Sequence, residues 1–193
     1  MKRRTRHTLL LIEPQAGTRA RRQRATSPPA APLGNETPDV TMIDLQRLDI
    51  VDRETAETVL QLQQVAYRIE AELIGSDGIP PLWETIEDLR TCGEEFLGVT
   101  VNGGLVGAIS WRYGAGTIDI HRLVVDPEHF RRGIATALVR GALEIEPTAK
   151  RAIVQTGAQN APAAALYLRE GFEQIEELDL GGVRVSRFAK PLS

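Results

Sequence analysis

Residues 123–136 read Leu123-Val124-Val125-Asp126-Pro127-Glu128-His129-Phe130-Arg131-Arg132-Gly133-Ile134-Ala135-Thr136. An apolar run stops at Asp126-Pro127, and a segment with helical periodicity opens at Arg131-Arg132-Gly133-Ile134-Ala135. A strand that hands over to a helix in this way turns several backbone N–H groups toward one point. The first helical turn has no internal partners for those donors, and the helix dipole adds partial positive charge there. Gly133 lets the backbone approach a ligand closely, Ala135 keeps side-chain bulk away, and Arg131 and Arg132 add full charges. The local reading is a cradle for a pyrophosphate. It is not a Walker loop, because no Gly-Lys-Ser/Thr follows, and two of the three glycines of a dinucleotide fingerprint are missing.

The segments on either side alternate between strand and helix patterns. Residues 41–48 read as a first strand, and Asp52 caps a helix through Val59, Leu62, Val65, Ala66 and Ile69. Gly75 to Pro81 reads as a loop, and Pro81-Leu82-Trp83-Glu84 begins a short helix through Ile86 and Leu89. Phe96 to Val101 and Leu105 to Tyr113 flank Asn102-Gly103, a strong hairpin signal, and Gly114-Ala115-Gly116 turns again into a strand over Thr117 to Val125. Beyond the cradle, Ile134, Leu138, Ala142 and Ile145 form one helical stripe that Pro147 ends. Ala152-Ile153-Val154 reads as a strand covered on both faces. Asn160 caps a helix that runs to Arg169 and stops at Gly171, and two last strands follow, hinged at Gly181-Gly182. The order β-α-α-β-β-β-α-β-α-β-β implies an α/β fold with one central mixed sheet: hairpins in the first half, parallel pairing added by the second.

At 193 residues the chain has room for one ordinary domain with a real core. Its net charge of −3 hides an asymmetry: residues 1–38 carry eight Lys/Arg against two Asp/Glu (+6), and residues 39–193 carry fifteen against twenty-four (−9). The first segment also holds five of the eleven prolines and is expected to be a disordered basic tail, with the domain over 39–193. Met42 stands just ahead of the first strand pattern, so residues 1–41 are open to being an artefact of start assignment. The cluster Leu9–Ile12 is too short for a secretory core, no segment approaches the roughly twenty apolar residues of a membrane span, and Cys92 is the single cysteine. These features imply a cytoplasmic protein without disulfide, metal or membrane partner. A basic tail suits nucleic acid or acidic surfaces, and a solvated extension accounts for it equally well.

Two windows together resemble the GNAT family of N-acetyltransferases. The first is Phe130-Arg131-Arg132-Gly133-Ile134-Ala135, against the family's Gln/Arg-x-x-Gly-x-Gly/Ala loop; it departs at Phe130, where the family has a polar residue. The second is Gln155 to Phe172, where the family places an Asn at a helix start and a Tyr further along it. Here these are Asn160 and Tyr167, followed by Leu168-Arg169-Glu170-Gly171-Phe172, close to the family's usual ending. Asn160 and Tyr167 are seven residues apart, hence on one helix face. The resemblance covers roughly residues 41–190. It implies a single-domain acyl-CoA N-acyltransferase fold in which one strand splays from its neighbour and leaves a V-shaped gap for the pantetheine arm. It also implies acetyl-CoA as acyl donor, held by Leu123, Val124, Val125, Arg131, Arg132, Gly133, Ile134, Ala135, Thr136 and Asn160, and a primary amine of a small molecule or protein as acceptor. Tyr167 becomes the proton donor to the departing thiolate.

For the base, Asp119 and His121 are two apart on one strand and so share a face. The imidazole is suited to taking a proton near neutrality, and Asp119 orients it or attracts a cationic amine. A satisfied polar pair at a strand end accounts for both residues equally well. Glu84 is a third candidate, Trp83 a pocket wall or core residue, and Trp111 a core residue. Arg122, by alternation, belongs to the opposite face in a structural role. The competing functional reading is a non-catalytic acyl-CoA-binding regulatory domain, monomeric or homodimeric like the enzyme; a proton donor at Tyr167 favours the enzyme.

Overall fold

The computed structural model describes residues 43–74, 84–179 and 183–193, with the side chains of 67–74 outside the description. The expected basic tail, the loop over 75–81, Trp83 and the hinge at Gly181-Gly182 lie outside the described residues. The elements are β1 (Asp44–Leu48), α1 (Arg53–Ile74), α2 (Ile86–Arg90), β2 (Glu95–Val101), β3 (Gly104–Gly114), β4 (Thr117–Val125), α3 (Ile134–Ile145), β5 (Arg151–Gly157), α4 (Ala161–Arg169), β6 (Glu173–Asp179) and β7 (Arg184–Pro191). A short 3₁₀ turn, Pro127–His129, separates β4 from the loop before α3.

The strands form one sheet in the order β1-β2-β3-β4-β5-β7-β6. Every neighbouring pair is antiparallel except β4 and β5. That exception is forced by connectivity, because α3 carries the chain across the sheet and parallel strands need such a crossover. The β2–β3 and β3–β4 hairpins turn on Asn102-Gly103 and Ala115-Gly116, whose φ angles of 52°, 82°, 49° and 73° are the left-handed pairs of tight hairpin turns.

Local signals set the helix ends. Asp52 Oδ2 accepts from the Thr55 N–H at 2.8 Å and the Thr55 hydroxyl at 2.9 Å, which fixes the start of α1. The second helix begins later than its sequence suggests: Thr85 and Asp88 form a reciprocal capping box, so Glu84 precedes the helix. In α1, Val59, Leu62 and Ala66 are buried, but Val65 stands 48% exposed on the far side of the stripe. In β5, Ala152, Val154 and Thr156 are buried and the residues between them half-buried, so one face is sealed and the other only partly covered.

The main core lies between the sheet and α3 and α4, with Trp111, Ile118, Ile120, Leu123, Leu138 and Tyr167 among its members. A smaller cluster on α1, α2 and β2 includes Ile50, Ala56, Val59, Leu89 and Phe96. Gly107 sets how closely the start of α3 approaches β3: a Cβ there would lie 2.7 Å from Ile134 Cγ2 and 3.1 Å from Leu138 Cδ1. Ile134 Cγ2 sits on a branched β-carbon and has little freedom to retreat.

Two outcomes follow. Gly107→Val should lower stability by about 1–3 kcal/mol through overpacking, read as a fall in the urea midpoint with an unchanged slope; an unchanged midpoint would mean that α3 is not held against this strand. The Asp52 carboxyl is held below its ordinary value, chiefly by the Thr55 backbone N–H. A lowered folded value means the cap's charge-dependent stabilisation is complete above the unfolded value of roughly 3.9 and fades as pH falls through the folded one. Asp52→Ala should therefore melt earlier than the parent at neutral pH, with the gap narrowing below about pH 4; a gap that stays constant with pH would contradict a charged cap.

Candidate active site

The cradle is built by the backbone. Asp126 closes β4: its N–H donates to Val106 O at 2.8 Å, and its Oδ1 accepts from the Glu128 N–H at 2.9 Å. The chain then passes Phe130, which packs against the main core. The one position that departs from the family loop thus serves as an apolar anchor. Arg131 and Gly133 are both left-handed, with φ of 63° and 78°, on either side of Arg132. Alternation of hand over successive residues makes backbone N–H groups converge into an anion-binding concavity. The helix itself starts at Ile134, later than its periodicity suggests, with Gly133 as N-cap and no side-chain cap. Its first internal bond runs from Ala137 N to Gly133 O, 2.9 Å. The N–H groups of Ile134, Ala135 and Thr136 are therefore the first-turn donors with no carbonyl inside the helix to receive them.

Beside the cradle the sheet opens. The parallel ladder of β4 and β5 pairs Thr117–Ile120 with Arg151–Val154 and goes no further, although both strands continue. Because the Asp126 N–H faces β3 and strand groups alternate, the N–H groups of Leu123 and Val125 face the β5 side, into the gap, while that of Val124 faces β3.

The gap coincides with a bulge. Ser110 pairs with Arg122 and Trp111 with Ile120, so His121 is an extra residue in β4. The slip keeps Ile118, Ile120, Leu123 and Val125 all in the main core. It also corrects the expectation for Arg122. Strict alternation would set Arg122 opposite Asp119 and His121, yet Arg122 and His121 both reach the same carboxylate, Glu94. His121 Nδ1 lies 3.0 Å from Glu94 Oε1, while Arg122 Nη1 and the Ser110 hydroxyl, the latter at 2.8 Å, donate to Glu94 Oε2. Arg122 Nη2 donates to Glu84 Oε1 at 2.7 Å, and Gln63 Nε2 donates to Glu84 Oε2 at 3.1 Å. The Arg122 guanidinium also stands 5.8 Å above the Phe96 ring. Asp119 joins from the outer side, its Oδ2 3.4 Å from His121 Nε2.

Asp119 and His121 thus meet, as their spacing suggests, and Glu84 is linked to them through Arg122 and Glu94. Glu94 was not legible beforehand: it lies in the short connection ahead of β2, where the pair Glu94-Glu95 after Gly93 reads as surface, yet its side chain is 1% exposed.

Tyr167 lies on the other face of the sheet. Its ring packs edge-on to Phe172 at 5.5 Å and tilted against Phe188 at 5.7 Å. Phe188 is the strand partner of Val154, the last β5 residue in the ladder with β4. The side chain is fully buried, and among the described residues its hydroxyl has no hydrogen-bond partner, nor has that of buried Thr156 on β5. Burial pushes the Tyr167 phenol well above its usual value, so it stays protonated. Asn160 caps α4, its Oδ1 accepting from the Ala163 N–H at 3.1 Å. Among the described residues no group of acidic, His or Cys side chains is arranged to hold a metal ion, and no helix is long and apolar enough to cross a membrane.

Comparison with known proteins places this geometry. Residues 57–172 match the model of the acetyltransferase (GNAT) family. The chain is 40% identical over 121 residues to the UPF0157 protein YqkA of Bacillus subtilis, an alignment covering 63% of this chain and 35% of that protein. It is 42% identical over 60 residues to the uncharacterized N-acetyltransferase MJ1207 of Methanocaldococcus jannaschii, covering 30% of this chain and 26% of the other. The chain thus spans about a third or less of the curated relatives it matches. In fold it is similar to the ribosomal-protein-S18-alanine N-acetyltransferase of Escherichia coli (TM-score 0.63, 16% identity, 79% of this chain and 95% of that one). It is also similar to the PaiA N-acetyltransferase of Thermoplasma acidophilum solved with coenzyme A (TM-score 0.61, 21% identity, 78% and 99%). With a family match over more than half its length and a mixed seven-stranded sheet flanked by helices, the chain belongs to the acetyltransferase (GNAT) family.

Proposed function

We propose that the protein is an acetyl-CoA-dependent N-acetyltransferase that modifies a primary amine of a small molecule or protein. The observation that carries this reading is the buried, unpartnered hydroxyl of Tyr167 beside the point where β4 and β5 part. An unsatisfied buried hydroxyl lowers stability by about 1–3 kcal/mol, so a role for it is expected. A donor placed there suits a reaction whose leaving group arrives as an anion.

The chain's own groups fit acyl-CoA. The N–H groups of Ile134, Ala135 and Thr136, with the concavity at Arg131–Gly133, would hold the pyrophosphate, and the Arg131 and Arg132 charges would add to the field. The gap-facing N–H groups of Leu123 and Val125 would take the pantetheine arm and the thioester carbonyl, with Val124 between them packing the opposite face and Asn160 at the far wall. Bound acetyl-CoA supplies an activated carbonyl and a thiolate leaving group. His121, with Asp119, would receive the proton of the incoming ammonium on the α1/α2 face. Tyr167 would deliver one to the thiolate on the α3/α4 face. Its raised value is compatible with that task, because the same apolar surroundings also raise a thiol. The acidic side chains Glu84 and Glu94 around Arg122 and Asp119 beside His121, together with the −9 balance over residues 39–193, favour a cationic acceptor.

A non-catalytic acyl-CoA-binding domain would share the cradle, but it has no use for a buried donor at Tyr167. Tyr167→Phe separates the two readings, since it keeps the ring and removes one hydroxyl. Thiol release from acetyl-CoA with an amine panel should fall roughly a hundredfold or more, with acetyl-CoA affinity nearly unchanged. Unchanged turnover, with product release shown not to limit it, would leave Tyr167 a structural residue.

A further inference from the structure

We propose that Glu94 is the positioning residue of this site: it fixes the hydrogen of the His121 ring on Nδ1 and so leaves Nε2 as the nitrogen that exchanges a proton. The role in turnover rests on the acetyltransferase reading above; the fixing of the ring does not.

The assignment follows from counting donors. Arg122 has five N–H groups and no acceptor, and it reaches Glu94 Oε2 together with the Ser110 hydroxyl. A carboxylate 1% exposed and held by a guanidinium is kept as an anion, which only accepts. His121 Nδ1, 3.0 Å from Glu94 Oε1, must then carry a hydrogen and donate it, whether the ring is neutral or cationic. The other nitrogen faces outward. Nε2 lies 3.4 Å from Asp119 Oδ2, and that carboxylate is 48% exposed against 17% for the His121 side chain.

This arrangement defines a one-proton path. An acceptor ammonium loses a proton as its N–H bond breaks and an N–H bond forms at Nε2. The ring becomes imidazolium, with Nδ1–H still on Glu94 and the new Nε2–H donated to Asp119, whose exposed carboxylate passes the proton to water. No oxidant or further reactant is needed. Glu84 and Gln63 complete the frame, because Glu84 holds the other end of the guanidinium and Gln63 holds Glu84. Arg112, the strand partner of Asp119, donates instead to Cys92 O and leaves this path clear. Both Glu94 contacts depend on the bulge, since only the extra residue lets neighbours 121 and 122 reach one carboxylate.

Glu94→Gln makes the idea testable. Arg122 accepts nothing, so the new amide must turn its oxygen to Arg122 and its NH₂ to His121. That forces Nδ1 to accept and moves the ring hydrogen to Nε2, where it blocks the base. The ¹⁵N-labelled chain of 193 residues has three histidines, His7, His121 and His129, and His121→Gln identifies the signals of interest. In long-range ¹H–¹⁵N spectra of the neutral ring, the parent should show Nδ1 protonated and Nε2 bare, and Glu94→Gln should show the reverse. The same variant should lose turnover by about a hundredfold or more while binding acetyl-CoA like the parent. A parent ring protonated at Nε2 would overturn the proposal without any variant, so a failure of Glu94→Gln to fold leaves it decidable. An inverted tautomer with undiminished turnover would overturn the role of Glu94 in the reaction. A parent with Nδ1 protonated and no thiol release from any amine would uphold the positioning and refute the acetyltransferase reading alone.

Discussion

A single extra residue in β4, His121 opposite the Ser110–Trp111 step of β3, is the constraint on which the rest of this site depends. Before it, Ile118 and Ile120 face the main core; after it, Leu123 and Val125 do, so the core stripe continues across a change of phase. At the same point β4 leaves β5, and the parallel ladder ends at Ile120 and Val154. Bulges add twist and interrupt pairing, so one local insertion accounts for both the gap and the re-aimed side chains. The gap exposes strand N–H groups that a regular sheet would have used up. The re-aiming gathers His121 and Arg122 onto Glu94.

The consequence is a site with two sides. On the α3/α4 face the surroundings are apolar, and the polar groups left over among the described residues include the Thr156 hydroxyl and the Tyr167 phenol, which burial keeps protonated. On the α1/α2 face the surroundings are charged, with Arg122 between Glu84 and Glu94 and the His121 ring between Glu94 and Asp119. In the proposed reaction the donor Tyr167 and the acceptor His121 would stand on opposite faces of the sheet, on either side of the opening between β4 and β5. Separation of this kind keeps two titrating groups from neutralising each other, which a transfer reaction with both an acid and a base step requires. A buried carboxylate–guanidinium chain is a poor source of net stability, and here its use is to hold a ring in one orientation.

Much of this was legible in the sequence because it rests on short-range rules. Asp52, Asn160 and Asn102-Gly103 act through their own neighbours, and each lies where its chemistry says. The cradle is local too, because Gly133 and the start of α3 are contiguous. The bulge broke the one rule applied to Arg122, strict alternation. Its trace was nevertheless present: in Ile118-Asp119-Ile120-His121-Arg122-Leu123-Val124-Val125, the core positions run 118, 120, 123, 125, a slip of one residue. Glu94 left no such trace, since its partners lie 16, 27 and 28 residues away and only the paired sheet brings them together.

Amide hydrogen exchange with and without acetyl-CoA tests the central claim most directly, because the account gives the ligand to main-chain N–H groups. Acetyl-CoA should slow exchange at Leu123 and Val125 and across Arg131 to Thr136, while Val124, whose N–H faces β3, changes little. Protection at Val124 instead of its neighbours, or none at these positions under saturating acetyl-CoA, would contradict a ligand seated between β4 and β5.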